Sequence, residues 1–261
     1  ISSEVALGVG VAYDEKSQQW KEGYTSEIWE CSLRDNASMS ALLGVINGWN
    51  AYADKAGFRK YNANILIPIF SSDLDIEKTI LWYGKWEPRA AGKDIDALLA
   101  SGNEIQSQFQ PVLTCKSRVL YGSWDIRKKL KLKKLDNKIV SISECKYVSD
   151  WDNQRGLLKT RGDDDLALAN KQLNKFYDEN DADFNITQLW PWKGRSKNEL
   201  SATWDIKWVE EHRSADHMII TELDMANNGI FEIETRAVDP VIDCKDPEVF
   251  QAKSIRGGGE N

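Results

Sequence analysis

Two octapeptides decide how this chain is read: Tyr61-Asn62-Ala63-Asn64-Ile65-Leu66-Ile67-Pro68 and Phe184-Asn185-Ile186-Thr187-Gln188-Leu189-Trp190-Pro191. At one constant offset an aromatic residue, Asn, Leu and Pro recur, with Trp190 standing where Ile67 stands. Downstream, Cys115, Lys116, Ile126 and Arg127 return without a gap as Cys244, Lys245, Ile255 and Arg256, and Leu120-Tyr121 faces Val249-Phe250. Trp82, Lys85 and Trp86 spell W-x-x-K-W, and so do Trp204, Lys207 and Trp208. Glu30-Cys31 is answered by Glu144-Cys145. All four blocks keep the same order in both halves, which is the signature of an internal duplication. The spacing between blocks is longer in the second half around Ser149 to Asp165, a polar stretch expected to be a surface loop.

Periodicity gives each half the same succession of elements. In the first, Thr25 to Leu33 reads as a strand and Ser38 to Ala56 as a helix carrying Leu42, Leu43, Ile46, Trp49 and Tyr52 on one face. Asn62 to Phe70 and Ile76 to Trp86 form a hairpin across Ser71, Ser72 and Asp73. Lys93 to Phe109 is a second helix and Pro111 to Tyr121 a last strand. In the second half the strands are Ile139 to Tyr147, Phe184 to Trp192 and Ser201 to Val209, with helices over Leu166 to Tyr177 and from Ser214 onward. Asn227, Asn228 and Gly229 break that last helix, and Ile230 to Val238 reads as a strand or an added excursion. The expected organisation is an N-terminal extension (1–24), a first repeat (25–126), a basic linker (127–137), a second repeat (138–256) and a flexible Gly-rich tail (257–261).

The order β-α-β-β-α-β is the ferredoxin-like split motif, with both helices on one face of an antiparallel sheet and the other face bare. Two bare faces cover one another most directly by packing together. The expected fold is therefore α+β: two tandem ferredoxin-like units with antiparallel sheets packed face to face as a pseudo-dimeric α+β barrel. In this arrangement the chain resembles the dimeric α+β barrel superfamily. The resemblance implies a family that includes haem-dependent peroxidases and chlorite-degrading enzymes, cofactor-independent monooxygenases and isomerases. It does not by itself name a reaction, and no catalytic residue is carried over.

Composition bounds the function. Net charge is -7 and pI about 5.1, which disfavours phosphate backbones and anionic lipid as general partners. No apolar run reaches the ~18 residues of a membrane-spanning helix. The chain begins at Ile1 rather than Met, as a processed or trimmed chain does. The four cysteines allow three pairings, and Cys31 with Cys115 plus Cys145 with Cys244 suits a duplication best. Such bonds imply a secreted or periplasmic location, the alternative being four buried thiols in the cytoplasm. With no C-x-x-C spacing, a cysteine zinc site is not expected. No P-loop, nucleophile-elbow or zincin motif is present, and no cofactor or metal is implied.

The eleven tryptophans supply the candidate site. On strands, Trp82 and Trp86 share a face, as do Trp204 and Trp208. If that face looks away from the helices, four indoles line a space between the sheets that suits a small apolar or aromatic ligand, with Asn62 and Asn185 as polar contacts. If it looks toward the helices, the indoles are core. His212 and His217, flanked by Glu210, Glu211, Arg213 and Asp216, read as an exposed helix entrance. The acidic groups at 163–165 and 178–183 read as solvated loops. Three functions remain open: a small-molecule-binding module, a cofactor-independent monooxygenase or isomerase, and a structural or assembly protein.

Overall fold

The computed structural model describes residues 12–14, 19–21, 23–71, 74–130, 138–148, 159–193 and 205–257. A short ribbon, β1 (Ala12–Asp14) with β2 (Gln19–Lys21), precedes the main body. The first half then runs β3 (Tyr24–Leu33), α1 (Met39–Ala56), β4 (Tyr61–Phe70), β5 (Thr79–Trp86), α2 (Ala91–Ser101), α3 (Asn103–Phe109) and β6 (Leu113–Lys128). The second runs β7 (Lys138–Tyr147), α4 (Lys159–Glu179), β8 (Asn185–Lys193), β9 (Ile206–His212), α5 (Ala215–Asn227), α6 (Ile230–Ile233), a π-helical turn (Glu234–Val238), β10 (Ile242–Cys244) and β11 (Glu248–Arg256).

Local chemistry explains the boundaries. Ser38 caps α1 by accepting from the Ala41 amide, and the buried stripe Leu42, Ile46, Trp49 and Ala53 follows the helical period. Gly57 ends the helix at φ 85°, a conformation that suits glycine. The segment expected as one helix over 93–109 is two, because Gly102 interrupts it. The excursion over 230–238 is helical rather than extended: Gly229 at φ 91° starts α6, which passes into the π turn. In the stretch expected as a loop, α4 begins at Lys159, and 149–158 lie outside the described residues.

Eight antiparallel strands close on themselves in the order β7-β11-β4-β5-β3-β6-β8-β9, with β9 bonded back to β7 and β10 continuing the line of β11 along β7. The sheets of the two halves do not stack as separate layers. Their edges are hydrogen-bonded, β6 to β8 and β11 to β4, so the exposed edge groups that each half would present are paired. The barrel is filled by Ile28, Leu66, Leu81, Tyr83, Val119, Tyr121, Val140, Ile142, Leu189, Val209, Phe250 and Ala252. Outside it, α1 to α3 cover the first half's strands and α4 to α6 the second's, each with its own core layer.

Cross-strand disulfides join Cys31 to Cys115 and Cys145 to Cys244. Arg127 is no linker residue. It belongs to β6, its side chain is 2% exposed, and its guanidinium meets Asp178 at 2.8 Å, the Ala182 carbonyl and the Tyr177 ring at the end of α4. Arg256 at the end of β11 does the same for α1, meeting Asp54 at 2.8 Å, the Phe58 carbonyl and the Trp49 ring. Each half thus ends in an arginine that satisfies carbonyl and carboxylate groups at the C-terminus of the other half's first helix, where a cation is favoured.

Candidate functional site

Strand parity decides where the tryptophans go. On β5, Leu81 and Tyr83 point into the barrel, whereas Ile80, Trp82 and Trp86 belong to the layer beneath the helices. Trp208 on β9 lies in the corresponding layer of the second half, and Trp204 falls outside the described residues. No indole-lined space therefore lies inside the barrel at these positions. The ladders also correct the match of the two W-x-x-K-W motifs. Ile80 lies opposite Cys31 and Ile206 opposite Cys145, so counting from the disulfides pairs Trp82 with Trp208 and Trp86 with His212. Asn62 is exposed. Asn185 holds the Leu130 backbone, accepting from its amide at 3.0 Å, and donates to Glu211 at 3.3 Å.

In the first half the helix–sheet layer is closed. Trp82 stacks on Trp29 with centroids 6.2 Å apart and meets Trp49 edge-on at 5.1 Å, while Tyr61 packs against Trp86 at 4.4 Å. Gly84 is required here, because the Tyr61 hydroxyl occupies the place of a Cβ. Within this layer lies Glu27, which accepts from Trp29 Nε1 at 2.8 Å and from the Tyr61 hydroxyl. That hydroxyl in turn accepts from Trp82 Nε1 at 2.7 Å. Burial pushes the Glu27 carboxyl up to about 7 against the pull of those hydrogen bonds.

The second half fills the same layer differently. By strand register Ser143 stands where Trp29 stands. Counting from the arginine-held ends of α1 and α4, Leu173 stands where Trp49 stands. Two indoles are thereby replaced by smaller side chains, and a cavity of about 660 Å³ opens that both residues line. Its walls include Tyr177, Trp208, Val238 and Ile242, with Glu210 and Glu234 among them. Glu210 takes the Gly84 position and accepts from Trp208 Nε1 at 2.9 Å. Elsewhere in the second half, away from the cavity lining, Asn170 and Gln188 exchange hydrogen bonds of 3.2 and 3.0 Å at the places of Ile46 and Ile65.

The π turn supplies the remaining wall. The Asp239 amide donates to the Glu234 carbonyl at 3.0 Å, and the wider turn places both Glu234 and Val238 on the cavity. Burial first, then the Glu210 and Asp239 carboxylates, push Glu234 up to about 7. Burial and the same two glutamates hold the Tyr177 hydroxyl well above its ordinary value, so it stays protonated. His212 is not at an exposed helix entrance: β9 continues through it, it is 1% exposed, and it stacks on Phe184. His217 approaches Asp183 at 2.6 Å. Among the described residues no group of three or more potential ligands could hold a metal ion. No helix among them is long and apolar enough to cross a membrane.

No protein-family model matches the chain, and no curated protein matches it in sequence. Solved structures do. A chlorite dismutase-like protein superposes with a TM-score of 0.52, covering 90% of this chain and 96% of its own at 9% identity. Monooxygenase-like proteins from Fusobacterium nucleatum and Lactobacillus acidophilus give 0.52 and 0.53, covering 90% of this chain and 93% and 95% of theirs at 7% and 9% identity. The chain has the dimeric α+β barrel fold. Identity at this level carries the fold alone. Within this dimeric α+β barrel, Ser143, Leu173, Tyr177, Glu210 and Glu234 escaped the sequence reading. Aligning the halves on their cysteines instead of on W-x-x-K-W sets Trp29 against Ser143, and that exchange is the signal that was available.

Proposed function

We propose that this dimeric α+β barrel binds a small molecule, and that the ligand occupies the helix–sheet cavity of the second half. One observation carries the reading. Equivalent layers of the two halves are filled by indoles in the first and left open by Ser143 and Leu173 in the second. A half-open cavity of about 660 Å³, lined by Tyr177, Trp208 and aliphatic side chains on one hand and by a similar share of polar and acidic groups on the other, has the size of a ligand site. Of the residues expected from sequence to contact ligand, Trp208 is the one assigned this role. The interior of the barrel, packed with aliphatic side chains and the rings of Tyr83, Tyr121 and Phe250, is assigned to stability.

The halves are read as copies of one ferredoxin-like unit. Supporting this are the shared strand order (β6-β3-β5-β4 and β11-β7-β9-β8), the matched disulfides and the matched arginines. The disulfides support function in an oxidising, extracytoplasmic compartment.

A thermal-shift screen of small molecules on the wild-type protein and on Ser143→Trp tests the cavity. Compounds that raise Tm in the wild type and lose that effect in the filled variant are the expected result. Hits that shift both proteins equally contradict the assignment.

Glu234 supports a second reading, as an enzyme that takes a proton from its bound substrate. A carboxyl held near neutrality is suited to general-base work, and two of the structural neighbours are described as monooxygenase-like. Turnover of a bound compound that disappears in Glu234→Gln while binding persists is the outcome this reading requires. Turnover unchanged in that variant removes it.

A further inference from the structure

We infer that the second-half cavity selects organic cations, amines carried on an apolar or aromatic body, over neutral or anionic molecules of the same shape. This deepens the small-molecule reading above and rests on it. Three independent features point the same way.

The first is uncompensated charge. Five acidic residues, Glu210, Glu234, Asp239, Asp243 and Asp246, line the cavity against one lysine, Lys245, which is engaged by Glu144 at 3.3 Å; of the five, Glu210 is already held by Trp208 Nε1 at 2.9 Å and lies 3.6 Å from His212 Nε2. Arg127, near Tyr177, spends its guanidinium on Asp178 and the Ala182 carbonyl. The Glu234 side chain has no hydrogen-bond or ion-pair partner among the described residues, so a cation entering the cavity could pair with it as it gives up its proton. Its tendency to hold a proton near neutrality fits this: burial and then two neighbouring carboxylates disfavour its charge, and a bound cation would offset the repulsion of the carboxylates.

The second feature is Tyr177. The residue is 5% exposed and lines the cavity, and its hydroxyl has no hydrogen-bond partner among the described residues. Buried hydroxyls are ordinarily satisfied, and an ammonium N–H donating to this oxygen would satisfy it. The third is the pairing of these groups with the rings of Trp208 and Tyr177. Both rings hold the apolar body of such a ligand, and the Trp208 ring, through its quadrupole, its charge, the Tyr177 ring being already faced by Arg127. An anion would meet the same rings and the five acidic residues of the lining, Glu210, Glu234, Asp239, Asp243 and Asp246, and would be repelled.

Calorimetric titration of the full chain with a panel of arylalkylamines of graded chain length tests this, each amine accompanied by the alcohol and the carboxylate of the same skeleton. The expected result is amine binding at least tenfold tighter than either counterpart. Glu234→Gln should weaken it at least tenfold, and Glu232→Gln, on the exposed side of α6, should leave it unchanged. Tyr177→Phe, which removes only the hydroxyl, should weaken amines and leave alcohols unaffected. Alcohols or carboxylates that bind as tightly as amines overturn the inference and leave the cavity reading standing, as does a panel without binding amines when the screen yields other hits. Amines that bind Ser143→Trp as well as wild type overturn both.

Discussion

Glu27 is a carboxyl group in a layer of indoles, and it is held there by two donors, Trp29 Nε1 and the Tyr61 hydroxyl. Its pKa rises from an ordinary 4.5 to about 7 in the folded protein. Below pH 4.5 both folded and unfolded chains carry the proton, and Glu27 imposes no penalty. As pH rises from 4.5 toward 7 the unfolded chain releases the proton first, so stability is lost across that window, in total ~3 kcal/mol from the size of the shift. Glu27→Gln keeps an acceptor for Tyr61 or Trp29 and cannot ionise. Urea unfolding at pH 5 and pH 8 should show the wild type losing stability relative to the variant at the higher pH. Parallel behaviour of the two proteins would place the proton elsewhere. Glu234, a carboxyl pushed up to about 7 in the same way, differs in having a cavity beside it rather than two donors.

At the scale of elements, the disulfides join neighbouring strands at the same place in each half, closing separations of 84 and 99 residues. Replacing Cys145 and Cys244 together by Ser should lower stability by roughly 2–5 kcal/mol, measured by denaturant unfolding, with the fold retained in circular dichroism. A loss below about 0.5 kcal/mol would show that the barrel ladders alone hold β10 against β7. Much of this level was legible beforehand. Period-two and period-3.6 patterns located β3, α1, β4, β7 and α5 to within a few residues, because each has one face committed to a core. The failures have physical causes. Glu210 and His212 read as surface because charged residues usually are, yet β9 runs on through them and its parity buries every second side chain. The π turn over Glu234–Val238 has no simple periodic signature, and apolar Ile230, Phe231 and Ile233 resemble a strand as readily as a helix. Within W-x-x-K-W the spelling was right and the register wrong, since short motifs carry no information about hydrogen-bond partners.

The whole molecule is a closed barrel whose two halves brace one another and have taken different fillings. The ladders join β6 to β8 and β11 to β4, and Arg127 and Arg256 each reach across to the first helix of the opposite half. Such a frame tolerates a change in one helix–sheet layer without loss of the other. In the first half that layer holds Trp29, Trp49, Tyr61, Trp82 and Trp86, and in the second it holds Phe176, Tyr177, Phe184 and Trp208 beside a cavity. The repeat pattern made the shared frame readable from sequence. It hid the difference, because identity between halves is what exposes a repeat, whereas the proposed ligand site lies where the halves diverge. The most direct test labels the tryptophan indoles with nitrogen-15 and titrates the protein with whichever compound most raises Tm in the screen. Saturating shifts at Trp208 Nε1, with Trp29 and Trp82 Nε1 unmoved, are predicted; shifts confined to the first-half indoles would contradict the assignment of the cavity.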